Sequence, residues 1–259
     1  PLIRKDLHKL IQQLRALSPD LDIALTTNAH LLSNSIERLK EAGISRITVS
    51  LDAVDVDVYQ SMGDTTSTPD MILESIDKTR AMDIPVKVNT VVQKGINEHQ
   101  IIPLITQMSS RDVPIRFIEY MDVGATNSWN LDHVMTGKEM RGIIEKEFGT
   151  IQSIEPDHPS DVAREYTINS GSIIGFIESI SNPFCGDCSR ARLSANGSIF
   201  TCLFATKGFD IRGILRMDAS KKEISEAIAS IWSERKDRYS ETRSERTDSE
   251  RIEMSFIGG

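Results

Sequence analysis

Apolar positions over the first 120 residues switch repeatedly between helical and strand-like spacing. Ile3, Leu7, Leu10, Ile11 and Leu14 recur at three-to-four spacing and give a first helix one apolar face, and LDIALTTN after it reads as a buried strand. A helix over about 33–42 stops at Gly43 and leads into RITVSLDA, a β-branched strand. Thr68 followed by Pro69 marks a helix start that Ile72, Leu73 and Ile76 carry to about Met82. VKVNTVVQ predicts a third strand, 98–109 a helix, and IRFIEYM a fourth strand. Alternation of this kind builds a parallel sheet with helical crossovers, either part of a barrel or a doubly wound sheet. The polar ends TTN, SLD and EYMD fall at the carboxyl ends of strands, where parallel α/β folds place their sites.

Later in the chain the pattern changes. Thr136 and Glu139 frame a capping box, Met140, Ile143, Ile144 and Phe148 form one helix face, and Gly149 is a stop. EYTINSGSIIGFIESIS alternates around a Ser-Gly turn and predicts a small antiparallel section over about 164–204. Ser220 and Glu223 frame a second capping box for a last helix whose face is Ile224, Ala227, Ile228 and Ile231. From Ser233 to Arg251 charge and hydroxyl groups dominate without apolar periodicity, which predicts a mobile or weakly attached tail.

Composition narrows the function classes. With 259 residues and 39% hydrophobic content the chain can bury a sizeable core, and a net charge of −8 without a basic block argues against nucleic acid as a partner. No apolar run is long enough to span a membrane, and the amphipathic start has no signal-peptide core, so a soluble cytoplasmic protein is expected.

All three cysteines, Cys185, Cys188 and Cys202, lie within NPFCGDCSRARLSANGSIFTCLF, which does not suggest a disulfide framework. Asn196-Gly197 predicts a two-residue type I′ hairpin. With 195 opposite 198, Cys202 falls opposite Ala191, close to Cys188, so the three thiolates can converge. Soft ligands at this spacing select zinc or an iron-sulfur cluster. Structural zinc wants a fourth donor, and the closest histidine, His158, is twenty-seven residues before Cys185. A redox CxxC pair leaves Cys202 and the adjacent Arg190 and Arg192 without a role. A 4Fe-4S cluster on three cysteines leaves one iron open to an exogenous ligand. Zinc bound to a non-catalytic adaptor module remains the alternative. Arg190 and Arg192, two apart, share a face if extended, and the ideal hairpin register puts that face opposite to Cys202.

In VKVNTVV, Lys87, Asn89 and Val91 share one face, and a lysine in mid-strand is costly in a dry core. Lys87 is therefore expected to face a wet lumen and an anion, or solvent if the strand is an edge; Arg116 invites the same reading, and the pair suits a triphosphate or carboxylate. Thr26, Asn28, Ser50 and Asp52 are strand-end polar residues.

The run FCGDCSRARLSANGSIFTCLF, together with TTNA, VSLDAVD, KVNTVVQKGINEH, RFIEYMDVG, DRYSETR and the terminal MSFIGG, resembles the GTP 3′,8-cyclase family of radical SAM enzymes in molybdenum cofactor biosynthesis. The resemblance extends over the whole chain. It implies an incomplete TIM-like (βα) barrel of radical SAM type over residues 1–150, a small α+β region binding a 4Fe-4S substrate cluster over 151–235, and a charged tail ending in Gly-Gly over 236–259. It implies that Cys185, Cys188 and Cys202 bind that cluster and that Arg190 and Arg192 are the active-site arginine pair. It further implies that Lys87 and Arg116 hold anionic groups of GTP or S-adenosylmethionine, that Thr26, Ser50 and Met121 contact S-adenosylmethionine, and that Gly258 and Gly259 reach toward the active site. The implied activity is S-adenosylmethionine-dependent radical conversion of GTP to a cyclic dihydro-GTP, with cyclic pyranopterin monophosphate synthase as the next enzyme and a homodimer as the assembly.

Two departures qualify the match. Ala29 stands where the family usually has glycine, so the turn after that strand is expected to differ. The chain opens on Pro1, and the family's first cluster motif, CxxxCxxC, would lie before it, so this sequence alone is expected to hold no S-adenosylmethionine-cleaving cluster and to be inactive.

Overall fold

A computed structural model describes residues 1–63, 65–124, 129–186, 188–243, 252–254 and 256–257. The chain forms two compact units that interleave in sequence: the first comprises Pro1–Tyr120, Asp132–Asp157 and Ala163–Glu178, and the second Met121–Leu131, His158–Val162 and Ser179–Gly259.

The first unit begins with α1 (Leu7–Leu17), β1 (Ala24–Thr27), α2 (Ile36–Glu41), β2 (Arg46–Ser50), α3 (Val56–Gly63), α4 (Pro69–Ala81) and β3 (Val86–Val92). A short 3₁₀ turn, Glu98–Gln100, then leads into α5 (Ile101–Ser109), followed by β4 (Ile115–Glu119), α6 (Gly137–Phe148), β5 (Gln152–Ser153), β6 (Arg164–Thr167) and β7 (Ile173–Ile177). The strands form one sheet in the order β1-β2-β3-β4-β7-β6-β5. Strands β1 to β4 and β7 pair in parallel, while β6 pairs antiparallel with β7 and β5. The four expected strands are all present, as are the helices around them, although α3 had no clear apolar period. The 164–177 hairpin is antiparallel within itself. It nevertheless joins the main sheet, because Ile174 and Phe176, both fully buried, dock β7 in parallel beside β4.

One sheet face carries Leu25, Ile47, Val49, Val86, Val88, Val92, Ile115 and Phe117, packed against Ile11, Ile36, Leu39, Ile72, Ile76, Leu104, Ile105, Met140 and Ile144 from the helices. Each such side chain contributes about 1.5–3 kcal/mol when fully removed from water. Phe117 and Phe176 sit opposite each other on β4 and β7 with ring centroids 6.1 Å apart. The capping box of α6 forms as its sequence implies: Thr136 Oγ1 accepts from Glu139 N (3.2 Å), and Glu139 Oε2 accepts from Thr136 N (2.8 Å). Ala29 takes φ +62°, a left-handed conformation that costs an L-residue about 1–2 kcal/mol, and its methyl is buried in the core.

The second unit contains β8 (Arg192–Leu193), β9 (Ser198–Phe200), β10 (Phe209–Asp210), α7 (Ile211–Arg216), α8 (Lys221–Ser233) and α9 (Tyr239–Thr242). Its small antiparallel sheet runs β10-β9-β8. The Ser220–Glu223 capping box opens α8 as expected, but none of the residues of α8 is buried.

The Asn196-Gly197 hairpin departs from the expected two-residue turn. Arg192 pairs with Phe200 and Leu193 with Ile199, so the hairpin is shifted by one residue from the two-residue turn. Only Gly197 of the turn has positive φ (+85°), whereas a type I′ turn needs both central residues there. The Ser194 hydroxyl donates to Ser198 O (3.0 Å) and Ser194 N also bonds Ser198 O (3.0 Å), closing the longer loop Ala195-Asn196-Gly197. Gly197 O accepts from Ile211 N and Arg212 N, and a Cβ on Gly197 would lie 2.6 Å from Arg212 Cβ, so the turn is built against α7.

The stretch after Ser233 is not uniformly loose. Tyr239 is buried; its hydroxyl donates to Oδ2 of the buried Asp122 (2.6 Å), and its ring stacks on Phe204 with centroids 4.4 Å apart. Arg243 Nε donates to Asp122 Oδ1 (2.9 Å). A buried carboxylate needs such partners, and only the tertiary fold supplies them. Tyr239→Phe should therefore lower stability by about 1–3 kcal/mol by removing the hydroxyl that donates to the buried Asp122 carboxylate. Denaturant unfolding monitored by circular dichroism checks this; an unchanged midpoint would mean the segment contributes no stability.

Candidate functional site

The one-residue hairpin shift matters for the cysteines. Residues directly opposite on an antiparallel pair share a face, so Arg192 lies on the face of Phe200. Position 202 has the parity of 200 and position 190 that of 192, although the ladder itself ends at Arg192 and Phe200. Within the ladder Arg192 thus takes the Phe200 face, which the two-residue turn would have reversed.

The three cysteines are free and half-buried. Arg190 Nε and Nη2 donate to Cys188 Sγ at 3.2 and 3.0 Å, and the Arg190 guanidinium lies 5.1 Å from the Phe184 ring centroid. Burial opposes ionisation of the Cys188 thiol, but the Arg190 backbone and side-chain hydrogen bonds and the Arg190 and Arg235 charges outweigh it, so its pKa falls below the ordinary thiol value. Cys202 Sγ accepts from Phe204 N at 3.4 Å. Burial is the largest effect on Cys202 and raises its pKa; the charges of Asp237 and Cys185 act in the same sense and that of Arg192 against them. The Arg192 guanidinium is made less basic, first by burial and then by Arg190, while Cys202 and Cys188 act oppositely. All three sulfurs and both arginines thus share one electrostatic neighbourhood. Among the described residues, however, no three His, Cys, Asp or Glu are grouped closely enough to hold a metal ion. Cys188 is instead turned onto Arg190, and Cys202 onto the Phe204 amide.

Residues with no apolar signal secure this loop. Arg235 Nη1 donates to Cys188 O, and its guanidinium lies 5.0 Å from the Trp232 ring centroid. Asp237 Oδ2 accepts from Thr201 Oγ1 (2.5 Å), next to Cys202. Arg243 reaches over both Phe204 and Tyr239, 5.5 Å from each centroid.

In the first unit the candidate polar residues occupy two adjacent rungs on one sheet face. Thr26, Thr48 and Lys87 align across β1, β2 and β3. Ser50, Asn89, Arg116, Gly175 and Glu165 align from β2 to β6. Thr26 is exposed, and Ser50, Lys87 and Arg116 are partly exposed, as a wet face requires. The anion beside Lys87 and Arg116 is Glu165: its Oε1 accepts from Arg116 Nη2 (2.7 Å) and Lys87 Nζ (3.3 Å). Burial works against the Glu165 carboxylate, but the Arg116 hydrogen bond and both cationic charges hold its pKa below the usual value. Glu165 was legible in principle, since a hairpin centred on Ser170 places it opposite Gly175. Met121 lies in the second unit and is half-buried. Gly258 and Gly259 lie outside the described residues.

Just beyond the strand ends, Asp52 Oδ1 accepts from Val91 N (2.8 Å). Asn97 Nδ2 donates to Asp52 O (2.8 Å) and Val91 O (2.9 Å), and Asn97 Oδ1 accepts from Gln93 N (2.7 Å). Gln100 Oε1 accepts from Val54 N and Asp55 N at 3.1 and 3.0 Å. These loop amides stiffen the carboxyl edge of β2 and β3, and a polar residue in a loop carries no periodic signal by which to find it.

Residues 1–108 match the Radical SAM superfamily and 113–241 match Molybdenum Cofactor Synthesis C. The GTP 3′,8-cyclase of Staphylococcus carnosus is 41% identical over 265 aligned positions, covering all of this chain and 78% of that protein. That of Staphylococcus saprophyticus is 42% identical over the same shares. The chain belongs to the GTP 3′,8-cyclase family. Membership supports a role in molybdenum cofactor biosynthesis, and the radical SAM family implies a 4Fe-4S cluster and S-adenosylmethionine. The α/β fold with its parallel sheet is that of radical SAM enzymes: the crystal structure of Streptococcus suis SuiB superposes with a TM-score of 0.54 at 14% identity, over 78% of this chain and 48% of that one. The SuiB structure bound to S-adenosylmethionine superposes equally well. Among the described residues, no helix of this GTP 3′,8-cyclase family member is long and apolar enough to cross a membrane.

The donor set fits an iron-sulfur cluster chemically: three thiols and no disulfide, with two arginines to offset the negative charge of thiolate-bound iron.

The Asp52 carboxyl sits where burial raises its pKa from 3.8 to about 6, with the Val91 hydrogen bond acting against the rise. The folded state keeps its proton to higher pH than the unfolded state. Stability from this group is thus full below about pH 4 and lost as pH rises through about 6. Asp52→Asn should remove that slope and raise stability at pH 7 by about 2–3 kcal/mol, using 1.36 kcal/mol per pH unit. Thermal denaturation of both proteins from pH 4 to 8 checks it; parallel profiles would contradict the assignment.

Proposed function

We propose that the protein works on GTP as a GTP 3′,8-cyclase, with Cys185, Cys188 and Cys202 holding a 4Fe-4S cluster whose fourth iron is left for the nucleotide. The observation that carries the reading is a set of three free, half-buried cysteines with the Arg190 guanidinium on Cys188 Sγ at 3.2 and 3.0 Å, in a chain 41% identical to named cyclases. The cluster and S-adenosylmethionine, when bound, supply the one-electron chemistry.

The protein's own residues bind, orient and balance charge. Arg190 and Arg192 offset the thiolates and present guanidinium donors to a bound nucleotide. Arg235 holds the Cys188 carbonyl, which limits the freedom of the CxxC loop. Lys87 and Arg116 supply cationic groups for the triphosphate, and Thr26, Ser50 and Met121 are assigned to S-adenosylmethionine. Gly258 and Gly259 are assigned to the approach to the reacting centre. A second cluster would be held by cysteines other than these three. The product would pass to cyclic pyranopterin monophosphate synthase, in the cytoplasm, and the assembly would be a homodimer.

Anaerobic reconstitution with iron and sulfide tests the cluster assignment. About four irons and four sulfides per chain are expected, with visible charge-transfer absorption that Cys185→Ser, Cys188→Ser or Cys202→Ser each diminishes. GTP should change the electron paramagnetic resonance of the reduced cluster. Uptake of zinc without sulfide, or a spectrum indifferent to GTP, would overturn the proposal.

A further inference from the structure

The rung Asn89–Arg116–Gly175–Glu165 contains a carboxylate where the proposed function needs room for phosphate. Glu165 comes from β6, two strands away from Arg116, and must reach across β7. It can do so because the intervening residue is glycine: a Cβ on Gly175 would stand 3.1 Å from Arg116 Cγ and 3.5 Å from Glu165 Cγ, directly between them.

Both cations take the same oxygen, Oε1 of Glu165. Two positive charges and one negative leave the trio with a net charge of +1. The guanidinium is engaged at one corner only. Arg116 Nε is buried without a hydrogen-bond partner, and so is Asn89 Oδ1 on the paired position of β3. A guanidinium binds a phosphate best through two parallel donors, and here one of them is idle while the other is occupied by the internal carboxylate. The trio is partly exposed, with 31%, 22% and 25% of the Lys87, Arg116 and Glu165 side chains accessible, so a ligand can reach it.

We infer that Glu165, carried across Gly175, is a built-in competitor for the polyphosphate of the substrate, setting how tightly Lys87 and Arg116 hold it. The inference rests on the reading that these two cations bind the triphosphate. A bound phosphate oxygen takes the place of Glu165 Oε1 at Arg116 Nη2 and gives Nε its acceptor. Binding therefore costs the internal ion pairs and sets two anions side by side, which moderates affinity and helps the charged product leave. Without the carboxylate the two cations would hold polyphosphate more tightly.

Binding of GTP, inorganic triphosphate, guanosine and S-adenosylmethionine to the reconstituted protein, measured by calorimetry at several salt concentrations, tests this. Glu165→Gln keeps the side-chain shape and removes the charge. It should tighten GTP and triphosphate binding about tenfold and steepen their salt dependence, while changing guanosine and S-adenosylmethionine by less than about twofold. Guanosine also reports whether the variant is folded, because a damaged site would weaken it. Unchanged or weaker GTP binding by Glu165→Gln, equal tightening of guanosine, or tightening of S-adenosylmethionine alone would overturn the inference. Lys87→Ala and Arg116→Ala separate it from the underlying reading: if neither weakens GTP, the triphosphate assignment itself fails. If both do and Glu165→Gln does not tighten it, only the competitor role fails.

Discussion

The alternation of side chains along β3 and β4 is the constraint on which the first unit depends. Successive residues on a strand face opposite ways, so Val86, Val88, Thr90 and Val92 enter the helix-covered core only if Lys87, Asn89 and Val91 face the other side. The parallel register then forces Arg116 to the level of Asn89 and Ser50. A slip of one residue would bury a lysine and an arginine among isoleucines, and each uncompensated buried charge costs several kcal/mol against the roughly 5–15 kcal/mol by which a domain is stable. Burial of one face thereby assembles the polar groups of the other.

The same register explains how the third charge arrives. Glu165 is distant in sequence from both of its partners, and its position depends on β7 docking beside β4 and on the residue between being glycine. The ion pairs remain partly exposed, so their contribution to stability is modest. The second unit uses a different device. The thiol-rich loop is secured by polar groups: Asp122 between Tyr239 and Arg243, and Arg235 on the backbone of Cys188. Arg190 then favours the thiolate of Cys188, whereas burial holds the Cys202 thiol above its ordinary value.

Much of this was legible in the linear chain. Period-two and period-3.6 patterns identified the four parallel strands and most helices, because both periods follow from burying one side of a regular element. Capping boxes at Thr136 and Ser220 are local chemistry and appeared as expected. The cysteine spacing, the arginine pair and mid-strand Lys87 and Arg116 stood out because such residues in such places are costly without a partner. Asn196-Gly197 and its strand-forming flanks predict a two-residue turn, whereas Ser194 and the start of α7 favour a loop one residue longer.

The sequence by itself determined which residues must be buried, which elements they form, and that three sulfurs and a set of cations would need company. These follow from hydrophobic transfer and local backbone preference, which depend on near neighbours only. Tertiary structure alone decided who the company is. Glu165 meets Lys87 and Arg116, and Tyr239 and Arg243 meet Asp122, across 49 to 121 residues of chain. Contacts between such distant positions have no periodic signature, because they arise only when the strands and loops that carry them have already been brought together by the core.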